Sequence, residues 1–148
     1  MTKRGHEALQ AQSFASHRIA NLLPKGLLHP RLVPDVWSAF VRGKYDSAVF
    51  EAHRQVEIAV RQASGVPAKH VGVDLMRKAF HPDTGPLTDP DALPAEREAL
   101  MHLFSGAIGS YKNPYSHRLV EIEPKDSVEM IILASHLLSI VDSRPVDK

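Results

Sequence analysis

Apolar residues recur three and four positions apart along most of this chain and alternate with polar ones almost nowhere, a pattern that predicts helices. The clearest helix of the first half runs from Tyr45 to Ser64. Tyr45, Ala48, Val49, Ala52, Val56, Ala59 and Val60 form one stripe, and Gly65-Val66-Pro67 ends it. This helix is expected at the centre of a bundle, with Glu51, Arg54, Glu57 and Arg61 as charge pairs on its wet face. His53 flanks the stripe and faces either the core or a cleft. A second helix, from Pro94 to Tyr111, opens with a proline near its first position and Glu96 and Glu98 in its first turns. Leu100, Leu103, Phe104, Ala107, Ile108 and Tyr111 then make its stripe, while Gly106 and Gly109 permit another helix or chain to come close. The last helix, Asp126 to Val141, is apolar on two faces and is expected to be buried nearly all round.

Shorter elements fill the intervals. Pro34 to Arg42 places Val36, Trp37, Phe40 and Val41 on one side, with Trp37 as a core anchor and Gly43 as the stop. Asp74 to Phe80 turns Leu75, Met76 and Phe80 inward and stops at His81-Pro82. Asp83 to Pro94, rich in proline and aspartate, reads as a surface loop. His6 to Leu23 carries a looser helical pattern closed by Pro24-Lys25-Gly26, and residues 1–26 are read as an appended helix ahead of a domain spanning 27–148. Leu119 to Glu123 alternates briefly, as an extended linker would. The fold class is all-α, a helical bundle with an additional N-terminal helix.

Composition narrows this reading. With 148 residues, 43% of them hydrophobic, the chain supports one domain with a single core. Its 18 basic and 17 acidic residues leave a formal net charge of +1, so any contact with RNA must be local. The absence of cysteine removes disulfides and thiolate metal sites. None of the nine histidines lies four residues from another and no His-Glu-x-x-His occurs, so no metal and no cofactor are expected. Met130 to Val141, the longest apolar stretch, is too short to span a bilayer, and no hydrophobic signal core follows the basic Met1 to Arg4. A cytoplasmic protein without membrane contact is expected.

One stretch concentrates polar chemistry: Tyr111-Lys112-Asn113-Pro114-Tyr115-Ser116-His117-Arg118. Pro114 has no N–H and disfavours helical dihedrals at Asn113, so the helix arriving from Leu100 is expected to end or bend there, leaving a corner. An imidazole moves a proton near neutral pH, and an ammonium offsets charge on a phosphorane. His117 and Lys112 therefore suit phosphodiester chemistry, with Asn113 orienting either the histidine or a phosphate oxygen. The same residues also suit a solvated helix end.

Lys112-Asn113-Pro114-Tyr115-Ser116-His117 resembles the Arg-Asn-x-x-x-His form of the motif of the HEPN superfamily. The blocks Gly43 to Ala52, Val73 to Phe80 and Leu103 to Ala107 resemble, in order, those of its uncharacterised prokaryotic Ymh-type family, and the similarity runs from about Leu27 to Val141. Lysine stands where the motif has arginine, which keeps the charge and loses the planar fork. The resemblance implies a four-helix up-and-down core and a homodimer whose two motifs share one cleft. It also implies metal-independent ribonuclease chemistry in phage defence or as a toxin, with an antitoxin or defence-system partner. On that reading Lys112, Asn113 and His117 are catalytic, and Tyr115 and Arg118 grip the RNA. The alternative is a non-catalytic module of the same fold that binds RNA, a nucleotide or a partner protein.

Overall fold

A computed structural model of the chain describes residues 2–7, 10, 18–19, 21–114 and 120–145. Among them no strand occurs, and the expected all-α bundle is observed. The N-terminal region is helical over residues 3–7, and most of the remainder of the helix expected from His6 to Leu23 lies outside the described residues. Leu23 is fully buried, and Ile19 rests against the same core.

Two short 3-10 turns, Lys25–Leu27 and Pro30–Leu32, lead into a wider π turn, Val33–Trp37, that continues as α1, Ser38–Val41. Val36 and Phe40 are buried as the stripe requires. Trp37, expected as a core anchor, instead lies partly buried at the margin, where the Lys25 ammonium sits 4.8 Å from its ring. Gly43, at φ 80°, makes the left-handed turn into α2, Tyr45–Ser64. Gly65, at φ 69°, closes α2 with its N–H on the Arg61 carbonyl, so both ends follow the sequence pattern.

Helix α3 spans Gly72–Ala79, and its Leu75 and Met76, with Phe80 just beyond, enter the core. The loop that follows is tied down. Leu87 is buried and donates its N–H to the Ala79 carbonyl, the Thr88 hydroxyl donates to the His81 carbonyl, and Arg97 donates to the carbonyls of Pro82 and Ala92. A side chain at Gly85 would collide with the His81 backbone nitrogen and the Ala79 carbonyl, which explains glycine at this crossing.

Helix α4, Pro94–Ala107, stacks Phe104 on Phe80 with ring centroids 4.0 Å apart. Leu103, expected on its inward stripe, is 40% exposed. The regular helix ends at Ala107, and the chain continues as a π turn, Ile108–Lys112, with Asn113 still in helical dihedrals. Where the helix was expected to end or bend at Asn113, it widens instead: Asn113 donates its N–H to the Ile108 carbonyl five residues back, and residues 115–119, which follow Pro114, lie outside the described residues.

Helix α5, Pro124–Asp142, lies alongside α2 in the same direction. The Ser127 hydroxyl donates to the Tyr45 carbonyl at one end, and Ala59 and Gln62 border Val141 and Asp142 at the other. His29 fastens the upstream turns to α5, donating its backbone N–H to Ser135 Oγ and meeting Asp142 with Nε2 at 2.5 Å. α5 is not buried all round. Ile131, Ala134, Leu137 and Leu138 face the core, but Glu129, Ile132, His136 and Ser139 form an exposed strip, because its neighbours cover only part of its circumference. No described helix is long and apolar enough to cross a membrane.

Candidate functional site

Three elements meet at the Glu57 carboxylate. Glu57 lies on α2 one turn after His53 and is only 8% exposed. Its Oε1 accepts the Gly72 N–H at 2.9 Å, and its Oε2 meets Lys112 Nζ at 3.0 Å. Arg61, one turn further along α2, brings a guanidinium nitrogen 4.0 Å from Oε1. Burial pushes the Glu57 carboxyl up, but the Gly72 hydrogen bond, the hydrogen bond and charge of Lys112 and the charge of Arg61 outweigh it and hold it below the ordinary range. A buried carboxylate held this way remains an anion at neutral pH and fixes the ammonium beside it.

Local sequence explains how these groups converge. Gly72 adopts φ +56°, open to glycine at little steric cost, and this conformation directs its N–H at the carboxylate at the start of α3. The side chain of Asn113 lies over the same residue, with Oδ1 3.7 Å from where a Gly72 Cβ would stand. Close approach of α3 to the π turn is possible because Gly109 faces Val73, whose Cγ2 would be 3.4 Å from an added Cβ. Gly109 thus makes the close helix contact expected of it, whereas Gly106 faces open space.

Of the residues singled out in the sequence, Lys112 and Asn113 come together here. Tyr115, His117 and Arg118 lie outside the described residues. The charged face of α2 departs from expectation. Glu51 and Arg54 do pair near solvent at 3.0 Å, but Glu57 is buried, because Gly72 and Lys112 cover it from two other elements. Its distinguishing signal in the sequence is faint: it adjoins Val56 at the edge of the apolar stripe. Arg61 is also anchored elsewhere, donating to the carbonyls of Pro67 at 3.5 Å and His70 at 2.7 Å.

His53 faces the core. It is fully buried, donates from Nε2 to the Met130 carbonyl at 3.0 Å, and lies 5.3 Å from the Tyr111 ring, centroid to centroid. Its Nδ1 has no hydrogen-bond partner among the described residues. Burial outweighs the Met130 bond and lowers its pKa to about 4, so the ring is neutral at pH 7 and acts as a packing and donor group behind Tyr111. No group of three or more metal-binding side chains is found among the described residues.

No curated protein and no solved structure shows significant similarity to the chain. Residues 26–141 match the model of the Hypoth_Ymh family, described as proteins of unknown function, and the matched span contains the whole Glu57–Gly72–Lys112 cluster. The chain belongs to the Hypoth_Ymh family.

Proposed function

We propose that this protein is a HEPN-type endoribonuclease that cuts RNA without a metal ion. The observation that carries the reading is the fixed cation at the π turn. Lys112 is anchored by a buried carboxylate beside Asn113, and the polar stretch containing His117 follows directly. Fixing an ammonium before the substrate arrives removes the cost of ordering it during the reaction.

In the proposed step the 2′-hydroxyl of the RNA attacks the adjacent phosphorus while losing its proton, and the 5′-oxygen of the next nucleotide leaves while gaining one. The products are a 2′,3′-cyclic phosphate and a 5′-hydroxyl. His117 serves as the general base or acid, Lys112 offsets charge on the phosphorane and Asn113 orients the phosphate or the histidine. Tyr115 and Arg118 grip base or phosphate. One motif per chain supports a homodimer with a shared cleft, and phage defence or toxin action with a cognate antitoxin or defence-system partner is the setting this chemistry suits. Light scattering tests the dimer, and a strict monomer at micromolar concentration contradicts the shared cleft.

The Lys112–Glu57 pair also favours a second reading. An ammonium already 3.0 Å from a carboxylate has part of its charge spent before RNA arrives, as suits a non-catalytic module that binds RNA, a nucleotide or a partner protein. Incubating the protein with mixed RNA and with DNA in EDTA separates the two. The nuclease reading expects RNA fragments with 2′,3′-cyclic phosphate ends and intact DNA. RNA left whole under all conditions supports the binding module, and strict dependence on a divalent ion contradicts the mechanism.

A further inference from the structure

A cavity of about 250 Å³ opens on the α2 side of Lys112, lined by Phe50, Arg54, Glu57, Ile58, Arg61 and Lys112. Five of these come from α2 and recur at helical spacing, so they form one groove along the helix, and Lys112 closes it from the π turn. Three cations and one carboxylate line it, leaving an excess of positive charge in a protein whose overall balance is only +1. The compensation is uneven. Glu57 is shared among Lys112, Gly72 and, at 4.0 Å, Arg61, so one carboxylate faces two cations, and both hydrogen bonds of Arg61 go to neutral carbonyls that orient the guanidinium. Arg54 pairs with Glu51, which does not line the cavity, and half of its side chain is exposed. Phe50 and Ile58 supply an apolar wall beside these cations.

A guanidinium held on backbone carbonyls, a half-exposed one paired with Glu51 and an aromatic wall suit one nucleotide, with its phosphate between the arginines and its base or ribose against Phe50. The volume is slightly below the roughly 300–1,000 Å³ of sites for drug-sized ligands, which fits one nucleotide unit rather than two. We propose that this groove is a nucleotide subsite holding the phosphate of a single-stranded RNA one step away from the phosphate at Lys112. Placing a neighbouring phosphate at Lys112 rests on the nuclease reading. The groove's affinity for a nucleotide phosphate rests on its own charges.

The test measures binding of a fluorescein-labelled, 2′-O-methylated single-stranded oligonucleotide, which offers no 2′-hydroxyl for cleavage, with AMP as a competitor. Wild type, Arg54→Ala, Arg54→Glu and Phe50→Leu are compared over a salt series, with circular dichroism to confirm folding. Arg54→Ala is expected to weaken binding roughly 3- to 10-fold and to reduce the salt slope by about 1, as loss of one phosphate contact should. Arg54→Glu is expected to weaken it further, Phe50→Leu to weaken it without changing the slope, and AMP to compete only weakly. Equal affinity and equal slope for wild type and both folded Arg54 variants overturn the proposal. So does Arg54-dependent binding of AMP without binding of the strand, which makes the groove a free-nucleotide site. Because the probe cannot be cut, Arg54-dependent binding by a protein that leaves RNA intact rejects the nuclease reading alone. RNA cleavage with Arg54-independent binding rejects the subsite alone.

Discussion

His53 and Glu57 sit one turn apart on α2, both shielded from water, and end in opposite charge states. At His53 the neighbours are the α5 backbone and the Tyr111 ring, which offer one neutral acceptor and no anion, so burial decides and the imidazole stays neutral. At Glu57 the neighbours are a backbone N–H, an ammonium and a guanidinium, so partners outweigh burial and the carboxylate stays charged. The seam between α2 and α5 therefore serves packing, and the seam between α2, α3 and the π turn holds a charge in place. Depth alone does not decide where chemistry can be done; the donors arranged around the buried group do.

The strongest way to break this contrast is at Glu57. Glu57→Leu leaves the Lys112 ammonium and the Gly72 N–H without their acceptor, and stability should fall by about 3 kcal/mol, the usual range for removing one partner of a buried pair. The double variant Glu57→Gln with Lys112→Met should recover much of this. Chemical denaturation of the three proteins checks it, and equal losses for single and double variants would mean the pair is not coupled.

The His53 seam responds to acid instead. Its pKa of about 4 lies below the ordinary 6.5, so the unfolded chain binds the extra proton first. The stability contribution is fully present above about pH 6.5 and is lost as pH falls toward 4, amounting to about 2 kcal/mol by pH 5 at 1.36 kcal/mol per unit. Glu57, whose folded pKa is also lowered, contributes stability present above its ordinary value of 4.5 and lost as pH falls through its folded pKa. Urea midpoints measured from pH 7 to 4.5 should decline in the wild type and stay much flatter in His53→Phe. An unchanged slope in that variant contradicts the assignment.

Smaller effects sharpen the geometry. Gly72→Ala puts a Cβ on a residue at φ +56° but meets Asn113 only at ordinary contact distance, so the cost should be the backbone strain of about 1–2 kcal/mol. Gly109→Ala adds a methyl 3.4 Å from Val73 Cγ2, at the edge of ordinary contact, and should cost about 1 kcal/mol or less by thermal denaturation. If Gly109→Ala proves the costlier of the two, the close approach of α3 to the π turn, rather than the glycine dihedral, fixes the site.

Local signals made the frame legible. The α2 boundaries follow directly from the apolar stripe and the left-handed Gly65, and Phe80 and Phe104 meet as their two stripes require. The π turn was not legible, because widening a helix by one residue satisfies Asn113 through a carbonyl five residues back and leaves no periodicity mark in so short a segment. The burial of Glu57 was not legible either. Its covering groups come from 15 and 55 residues away, and an i,i+4 Glu–Arg pair has the same sequence form on a wet face and a covered one. Lys112 and Asn113 stood out by residue type, but the acceptor that fixes Lys112 is visible only in three dimensions.

The nuclease account stands or falls on RNA cleavage in EDTA by the wild type, His117→Ala and Lys112→Arg, each with its melting temperature. The account predicts cyclic-phosphate products from the wild type, a loss of about 10²–10⁴-fold in His117→Ala at an unchanged melting temperature, and retained or higher activity in Lys112→Arg. Cleavage by His117→Ala at the wild-type rate, or none by either the wild type or Lys112→Arg, would contradict it.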